Sequence, residues 1–126
     1  DYKAKDSGAE VPVMIDSILF RQVFVNIIRN GVEANLERIV GFSIQLCLDE
    51  ESDAIKIKIT NDGKPIPKDL APRIFDPYIS NKNGKDNMGL GLSIVKKIII
   101  EHGGEIFHIE ENSHPTFVIL LRREVQ

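Results

Sequence analysis

The sequence predicts one α+β domain built as a two-layer sandwich, with helices on one face of a mixed, mostly antiparallel sheet. Two segments, 17–38 and 91–102, carry apolar residues at helical spacing. Five segments have strand-like patterns, and four of these are joined in pairs by short turns, which favours antiparallel pairing. A chain of 126 residues that is 42% hydrophobic and 28% charged suits a single globular domain over residues 1–126.

Charge and hydropathy exclude several classes of function. The net charge of −3 argues against nucleic acid as a partner and against direct membrane contact. No apolar run approaches the ~20 residues of a membrane span. The polar opening DYKAKDSGAE predicts a poorly ordered or linking start over residues 1–10 and no secretory signal. The single cysteine, Cys47, excludes an internal disulfide, and its apolar context predicts a buried thiol. We therefore expect a cytoplasmic domain.

Three strands and a loop are predicted in the first half of the chain. VPVMI (11–15) forms a short apolar segment before the first helix. FSIQLCLDE (42–50) and AIKIKIT (54–60) flank a tight acidic turn, EESD, and therefore predict an antiparallel pair. NDGKPIPKD (61–69) predicts a loop, because its glycine and two prolines oppose regular structure.

The second half of the chain predicts one long helix followed by two strands. LAPRIF predicts a short helical turn, and residues 76–89 have the composition of a loop. GLSIVKKIIIEH (91–102) predicts a helix that ends at Gly103-Gly104, because glycine is the commonest residue after a helix C-terminus. GEIFHIEE and PTFVILLRRE predict the last two strands.

The first long helix carries a polar stripe opposite its apolar side. We expect Asp16 or Ser17 to cap the helix, which then runs to about Arg38. At about 100° per residue, one set of side chains faces the sheet and the other lies on the opposite side. The apolar set is Phe20, Phe24, Ile27, Ile28 and Val32, and the polar set is Gln22, Asn26, Asn30, Glu33 and Glu37.

The polar stripe has two interpretations. Amide and carboxylate oxygens are ligands that Mg²⁺ accepts, and one or two protein oxygens suffice if phosphates and water supply the rest. A stripe that simply faces water would show the same pattern. The helix alone leaves both interpretations open.

Two glycine-containing loops add candidate binding groups. NMGLGLSIV (87–95) places Gly89 and Gly91 at the start of the second long helix, where free amides favour an anion. Its spacing is neither that of the phosphate loop nor that of the dinucleotide fingerprint. NDGKPIP follows a strand directly, and Asn61 and Asp62 suit either a plain turn or a group that reads the edge of a base.

Five motifs occur in a recognisable order: QVFVNIIRNGVEAN, NDGKPIP, RIFDPY, GLGLSIVKKIIIEHGG and PTFVILL. This order resembles the N, G1, F, G2 and G3 boxes of the ATP-binding catalytic domain of sensor histidine kinases, in its short-lid, nitrogen-regulation-like form. The resemblance runs from about Val11 to Leu121. It implies the Bergerat fold, which gyrase-type topoisomerases, Hsp90 chaperones and mismatch-repair ATPases share.

The resemblance also implies an activity and its partners. Such a domain binds ATP with Mg²⁺ and transfers the γ-phosphoryl group to a histidine on a separate dimerisation domain, with a response regulator downstream. None of the three histidines, His102, His108 and His114, has the context of an acceptor box. We therefore expect these histidines to be structural or exposed.

Three residues are the expected catalytic set. Asn30 matches the asparagine that coordinates Mg²⁺, and Asn26 resembles a hydrogen-bonding partner of the phosphates. In the ATP-hydrolysing relatives, the position of Asn26 holds a glutamate that activates water, whereas an amide cannot accept a proton at neutral pH. Lys82 matches the lysine of short lids that reaches the phosphates.

The same matches imply the wider nucleotide site. Phe75 matches the F-box aromatic that packs under the lid, and Thr116 matches the threonine that helps to hold the adenine end through water. The expected nucleotide-binding residues are Asn26, Asn30, Glu33, Asn61, Asp62, Gly63, Ile66, Phe75, Tyr78, Lys82, Met88, Gly89, Leu90, Gly91, Leu92 and Thr116.

Departures from the family pattern keep alternatives open. Aligned on Gly63, the usual aspartate that accepts a hydrogen bond from adenine falls at Asn61, a weaker neutral acceptor, unless the loop shifts and Asp62 replaces it. Pro65 and Asn87 replace further box glycines. A regulatory nucleotide-binding module without phosphotransfer is one alternative, and an anti-sigma-type serine kinase is another. An ATPase clamp is disfavoured, because it needs the missing glutamate.

Overall fold

The computed structural model describes residues 2–6, 9–51, 53–77 and 91–122, with side chains described from residue 14 onward within these ranges. The elements in chain order are β1 (Tyr2–Asp6), β2 (Ala9–Val13), α1 (Ser17–Glu33), β3 (Phe42–Asp49), β4 (Ala54–Asn61), a 3₁₀ turn (Ala71–Arg73), α2 (Gly91–Glu101), β5 (Glu105–Glu111) and β6 (His114–Arg122).

A four-stranded sheet in the order β3-β4-β6-β5 forms one layer of the domain. Every pairing within it is antiparallel, so the described residues show no parallel component of the predicted mixed sheet. Side chains alternate along β4, where Ile55, Ile57 and Ile59 are buried and the intervening lysines are only partly buried. Both helices bury their apolar residues against this face, which gives the predicted two-layer α+β sandwich.

The backbone of β1 pairs with β2 in a separate antiparallel hairpin. The sequence predicts a poorly ordered or linking start over residues 1–10, whereas residues 2–6 and 9–10 belong to these two strands. The strand expected at 11–15 begins earlier, at Ala9, and ends at Val13.

Helix α1 begins where the sequence predicts. Asp16 is the N-cap, and its Oδ1 accepts hydrogen bonds from the N–H groups of Ile18 (2.9 Å) and Leu19 (3.0 Å). Such a bond satisfies N–H groups that have no partner within the helix. The prediction of Asp16 as one of two candidate caps is confirmed.

The other end of α1 lies short of the predicted Arg38. The helix ends at Glu33, because Asn35 breaks the hydrogen-bond ladder. The Asn35 side chain donates to the carbonyl oxygen of Gly31 (2.8 Å), which the Asn35 backbone N–H would bind in a continuing helix. That N–H bonds instead to the carbonyl oxygen of Val32 (3.1 Å). Competition of this kind is why asparagine favours helix ends over helix interiors.

The buried face of α1 is rotated from the predicted one. Phe20 and Ile27 are buried as predicted, but Val32 is 46% exposed, and the fully buried Val23 was not in the predicted set. The buried residues centre roughly 100° around the helix from Asn26, rather than opposite it. The polar stripe therefore borders the core, and Asn26 and Asn30 are both partly buried.

Helix α2 and its end match the prediction. Gly103 has a left-handed φ of 74° and follows the helix, a conformation that costs glycine little. His102 has the structural role we expected. Its Nε2 accepts a hydrogen bond from the Asp16 N–H (3.0 Å), and its Nδ1 then donates to the Ile98 carbonyl (2.8 Å). The ring also meets Phe20 edge-on at 4.9 Å, so His102 joins the end of α2 to the start of α1.

Cys47 is partly buried rather than buried, because it pairs across the sheet with Lys56 on the face away from the helices. Within the described ranges, neither helix combines the length and the apolar character that crossing a bilayer requires.

Candidate nucleotide-binding site

Asn26 and Asn30 lie one turn apart on α1, at the border between the core and the surface. Within the part of the chain that the structure describes, neither side chain has a hydrogen-bond partner. Neither contributes a fully buried, unsatisfied polar atom. Their amide groups are therefore accessible to a ligand. Glu33, the next residue of the stripe, is also partly buried.

Asn61 ends β4 and is buried, with 6% exposure. Its Oδ1 accepts a hydrogen bond from the Gly63 N–H at 2.8 Å. Its amide nitrogen lies against α1, since a Cβ added at Gly31 would come within 3.1 Å of it. Gly31 directly follows Asn30, so the fold brings the first loop residue next to the turn of α1 that carries Asn30.

Asp62 faces a different part of the molecule. Its Oδ1 accepts a hydrogen bond from the Gly41 N–H (2.9 Å) and lies 3.4 Å from the Arg38 guanidinium. The hydrogen bond from Gly41, helped by the charge of Arg38, holds the pKa of Asp62 below its usual value of 3.8. The half-exposed carboxylate ties the loop to the linker between α1 and β3, while the uncharged Asn61 occupies the buried position. The uncharged amide takes the buried position because burying a charged carboxylate costs more free energy than burying a neutral amide.

Thr116 lies beside Asn61 on the neighbouring strand. It is fully buried, and its hydroxyl is 3.0 Å from that of its cross-strand partner, Thr60. Thr60 immediately precedes Asn61 in β4, so the structure brings Thr116 to the same end of the sheet.

Some of the remaining predicted contact residues are described by the structure, and the others lie outside the described residues. Ile66 and Phe75 pack against the core, Leu92 is part of it, and Gly63 is buried beside Asn35. Gly91 is the first residue of α2. Five predicted site residues lie outside the described residues: Tyr78, Lys82, Met88, Gly89 and Leu90.

Phe75 has a defined aromatic environment. Its ring meets Phe117 edge-on, with ring centroids 6.1 Å apart. The Lys96 Nζ lies 5.5 Å from the Phe75 centroid, within range of a cation–π interaction. The F-box aromatic is thus held between the core and α2.

Two residues that support the loop were not predicted. Asn35 is 1% exposed, and its Oδ1 accepts a hydrogen bond from the Lys64 N–H at 2.9 Å. Glu110 accepts a hydrogen bond from the Ile66 N–H at 3.3 Å and also contacts His108. An asparagine just after an amphipathic helix is a usable signal for a helix end, but nothing in the sequence shows that Glu110 reaches the loop.

A family model described as "Histidine kinase-, DNA gyrase B-, and HSP90-like ATPase" matches residues 15–125, which is most of the chain. The chain belongs to this ATPase family. The match includes every residue of the predicted site. The family-level resemblance expected from the order of the boxes is confirmed.

Known members of the ATPase family that resemble the chain are named as sensor kinases. The C4-dicarboxylate transport sensor protein DctS of Rhodobacter capsulatus is 38% identical over 97 residues, which are 76% of this chain and 14% of that protein. The sensory histidine kinase/phosphatase NtrB of Rhizobium leguminosarum bv. phaseoli is 34% identical over 113 residues, which are 79% of this chain and 29% of that protein. The chain thus spans less than a third of either relative.

A solved structure of the ATPase family shows the same fold. The nucleotide-free catalytic domain of the histidine kinase ThkA superposes with a TM-score of 0.73 and 29% identity, covering 88% of this chain and 70% of that chain. The predicted α+β fold of a histidine kinase catalytic domain is therefore confirmed.

Proposed function

We propose that this domain binds ATP with Mg²⁺ between α1 and the loop after β4, and that it transfers the γ-phosphoryl group to a histidine on a separate dimerisation domain. One observation carries the proposal. The accessible amides of Asn26 and Asn30 lie on α1, and Gly31, the residue after Asn30, faces the buried Asn61 so closely that an added Cβ would come within 3.1 Å of its amide nitrogen. Groups suited to the two ends of a nucleotide thus lie on adjoining segments.

Asn30 and Asn26 are the residues that would face the phosphates. An amide oxygen is a suitable ligand for Mg²⁺, which shares its remaining coordination with phosphates and water. When bound, the ion would supply positive charge that offsets the charge on the transferred group. Asn26 cannot act as a general base, which favours transfer to a histidine over transfer to water.

Asn61 is the residue that would face the adenine. A carbonyl oxygen has two lone pairs, and the Gly63 N–H uses one of them. The second is available to accept a hydrogen bond from the exocyclic amino group of adenine. Thr116 is proposed to support this end of the site through water, as the family resemblance implies, and Lys82 is proposed to reach the phosphates.

The transfer itself needs a nucleophile from outside the domain. A histidine nitrogen would attack the γ-phosphorus while the bond to the β–γ bridging oxygen breaks and ADP leaves. We propose that this histidine lies in another domain of the same protein. The similarity to sensor kinases of which this chain spans less than a third supports this placement. A response regulator would then receive the phosphoryl group. A cytoplasmic location, where ATP is available, completes this proposal.

Calorimetry with ATP, first with Mg²⁺ and then with a chelator, tests the binding part. We expect binding with Mg²⁺ and clearly weaker binding without it, and an absence of binding in both conditions would contradict the proposal. Incubation with labelled ATP and a histidine-bearing dimerisation domain tests the transfer part. Binding without acid-labile label on that domain would instead favour the regulatory module.

A further inference from the structure

Asn35 is a buried polar side chain that lies outside the predicted site. It is 1% exposed, and both ends of its amide are engaged. The Nδ2 donates to the carbonyl oxygen of Gly31 at 2.8 Å, and the Oδ1 accepts from the N–H of Lys64 at 2.9 Å. A buried amide with this geometry joins the last turn of α1 to the loop after β4 and leaves neither partner unsatisfied.

The two segments that Asn35 joins carry the two ends of the proposed site. Gly31 directly follows Asn30, which would face the phosphates. Lys64 follows Gly63, whose N–H bonds to Asn61, the residue that would face the base. One buried amide therefore joins the Asn61 loop to the turn of α1 that carries Asn30, alongside a more exposed link in which the Arg38 guanidinium donates to the Asp62 carbonyl oxygen at 2.7 Å.

The contact between Asn35 and the loop is also close. A Cβ added at Gly63 would lie 2.6 Å from the Asn35 Cγ and 2.7 Å from its Oδ1. Carbon atoms do not approach to such distances, so the loop rests directly on the Asn35 side chain. A small movement of Asn35 is therefore transmitted to the loop.

A second link between the same segments lies on the surface. The Lys64 Nζ is 3.4 Å from a Glu37 carboxylate oxygen, and the two side chains are 66% and 84% exposed. Exposed ion pairs of this kind are weak and screened by salt. Glu37 thus offers a matched control, because it joins the same two segments without a buried hydrogen bond.

We propose that Asn35 is a positioning residue that fixes the base-reading loop against α1, and so determines how strongly the site discriminates adenine from guanine. This inference rests on the proposed function of Asn61. If the tie is lost, Asn61 can shift and accept hydrogen bonds less selectively. ATP affinity then falls, and the ratio of ATP to GTP affinity falls with it.

The test compares Asn35→Ala, Asn35→Asp and Glu37→Gln with the wild type, by calorimetry with Mg-ATP and Mg-GTP at a temperature where all are folded by circular dichroism. The wild type should prefer ATP by about tenfold or more. Asn35→Ala should lose about tenfold in ATP affinity and most of this preference. Glu37→Gln should keep both values.

Asn35→Asp separates positioning from stability. An aspartate still offers an oxygen to the Lys64 N–H, but its charge is costly to bury, so the variant should be at least as destabilised as Asn35→Ala. It should nevertheless keep a preference for ATP close to that of the wild type. If the preference instead follows stability across the variants, or if folded Asn35→Ala binds both nucleotides as the wild type does, the inference is overturned.

Hydrogen exchange of the wild type supplies a measurement that needs no variant. The Lys64 amide should exchange slowly and slow further when Mg-ATP is bound, whereas fast exchange in both states would contradict the tie. A wild type that binds neither nucleotide would instead defeat the proposed function, and with it the premise of the inference. A wild type that prefers ATP while Asn35→Ala is unaffected defeats the inference alone.

Discussion

Two pairs of asparagines on neighbouring segments are used in opposite ways. We call Asn26 and Asn30 the open pair, since their amides are accessible and have no hydrogen-bond partner among the described residues. We call Asn35 and Asn61 the closed pair, since both are buried and accept hydrogen bonds from the N–H groups of Lys64 and Gly63. The closed pair holds the loop through these hydrogen bonds, whereas the open pair makes no hydrogen bond among the described residues. Residue type alone does not show which asparagines are bonded within the protein, but burial and hydrogen-bond partners do.

Removing Asn30, the proposed metal ligand of the open pair, should have the largest effect. Asn30→Ala should lower Mg-ATP affinity by about 100-fold, because even outer-shell partners of metal sites are worth 10- to 100-fold. The melting temperature should barely change, since the side chain is only partly buried and bonds to no described residue. Calorimetry and thermal unfolding measure the two effects. Asn30→Asp, which keeps a ligand oxygen, is the control, and unchanged affinity in Asn30→Ala would remove the metal role.

Adding a methyl group next to the closed pair should lower the stability of the fold rather than act first on nucleotide affinity. Gly63→Ala places a methyl group against Asn35, which should lower the free energy of unfolding by roughly 1–3 kcal/mol in urea titrations. Asn35→Ala makes room for that methyl group. The double variant should therefore be less destabilised than the sum of the two single variants. Strict additivity would show that the loop does not rest on Asn35.

A negative charge at Asn61 tests whether this member of the closed pair also contacts the base. Asn61→Asp keeps an acceptor for the Gly63 N–H and makes the oxygen that would face adenine a charged, stronger acceptor. ATP affinity should rise by several-fold, on the order of 1 kcal/mol, while stability falls because a carboxylate is buried. Calorimetry with ATP and with a nucleotide that lacks the amino group distinguishes this from a general charge effect. An equal gain for both nucleotides would argue against base contact by residue 61.

The exposed neighbour of the closed pair, Asp62, should have the smallest effect, and this effect should disappear in acid. Because the pKa of Asp62 is lowered in the folded state, its contribution to stability is complete above its usual pKa of 3.8 and is lost as the pH falls below it. The free energy of unfolding, measured from about pH 6 to about pH 3, should therefore be higher for the wild type than for Asp62→Asn near pH 6. The two values should converge near pH 3. A difference that stays constant over this range would mean that the carboxylate does not tie the loop to Gly41.

Elements with strong local signals were predictable from the sequence. The alternating pattern located β3 and β4, and the glycine pair located the end of α2 within one residue. The order of the boxes predicted the family. These features depend on residues close together in the chain, where periodicity and turn chemistry act directly.

Features that depend on tertiary contacts were not predictable. The sequence did not show that Val32 is exposed, because the rotation of α1 is decided by its packing on the sheet. Nor did it show which of Asn61 and Asp62 turns inward, because that depends on Arg38 and Gly41 in the preceding linker. Asn35 was missed because its second partner, Lys64, is 29 residues away.

The side-chain amide signals of the four asparagines, followed by nuclear magnetic resonance, test the central claim most directly. With ATP bound, replacing the chelator by Mg²⁺ should move the Asn30 signals most, move those of Asn26 less, and leave those of Asn35 nearly unchanged. ATP binding with Asn30 signals that do not respond to Mg²⁺ would contradict the account, because the open pair would then not face the metal and the phosphates.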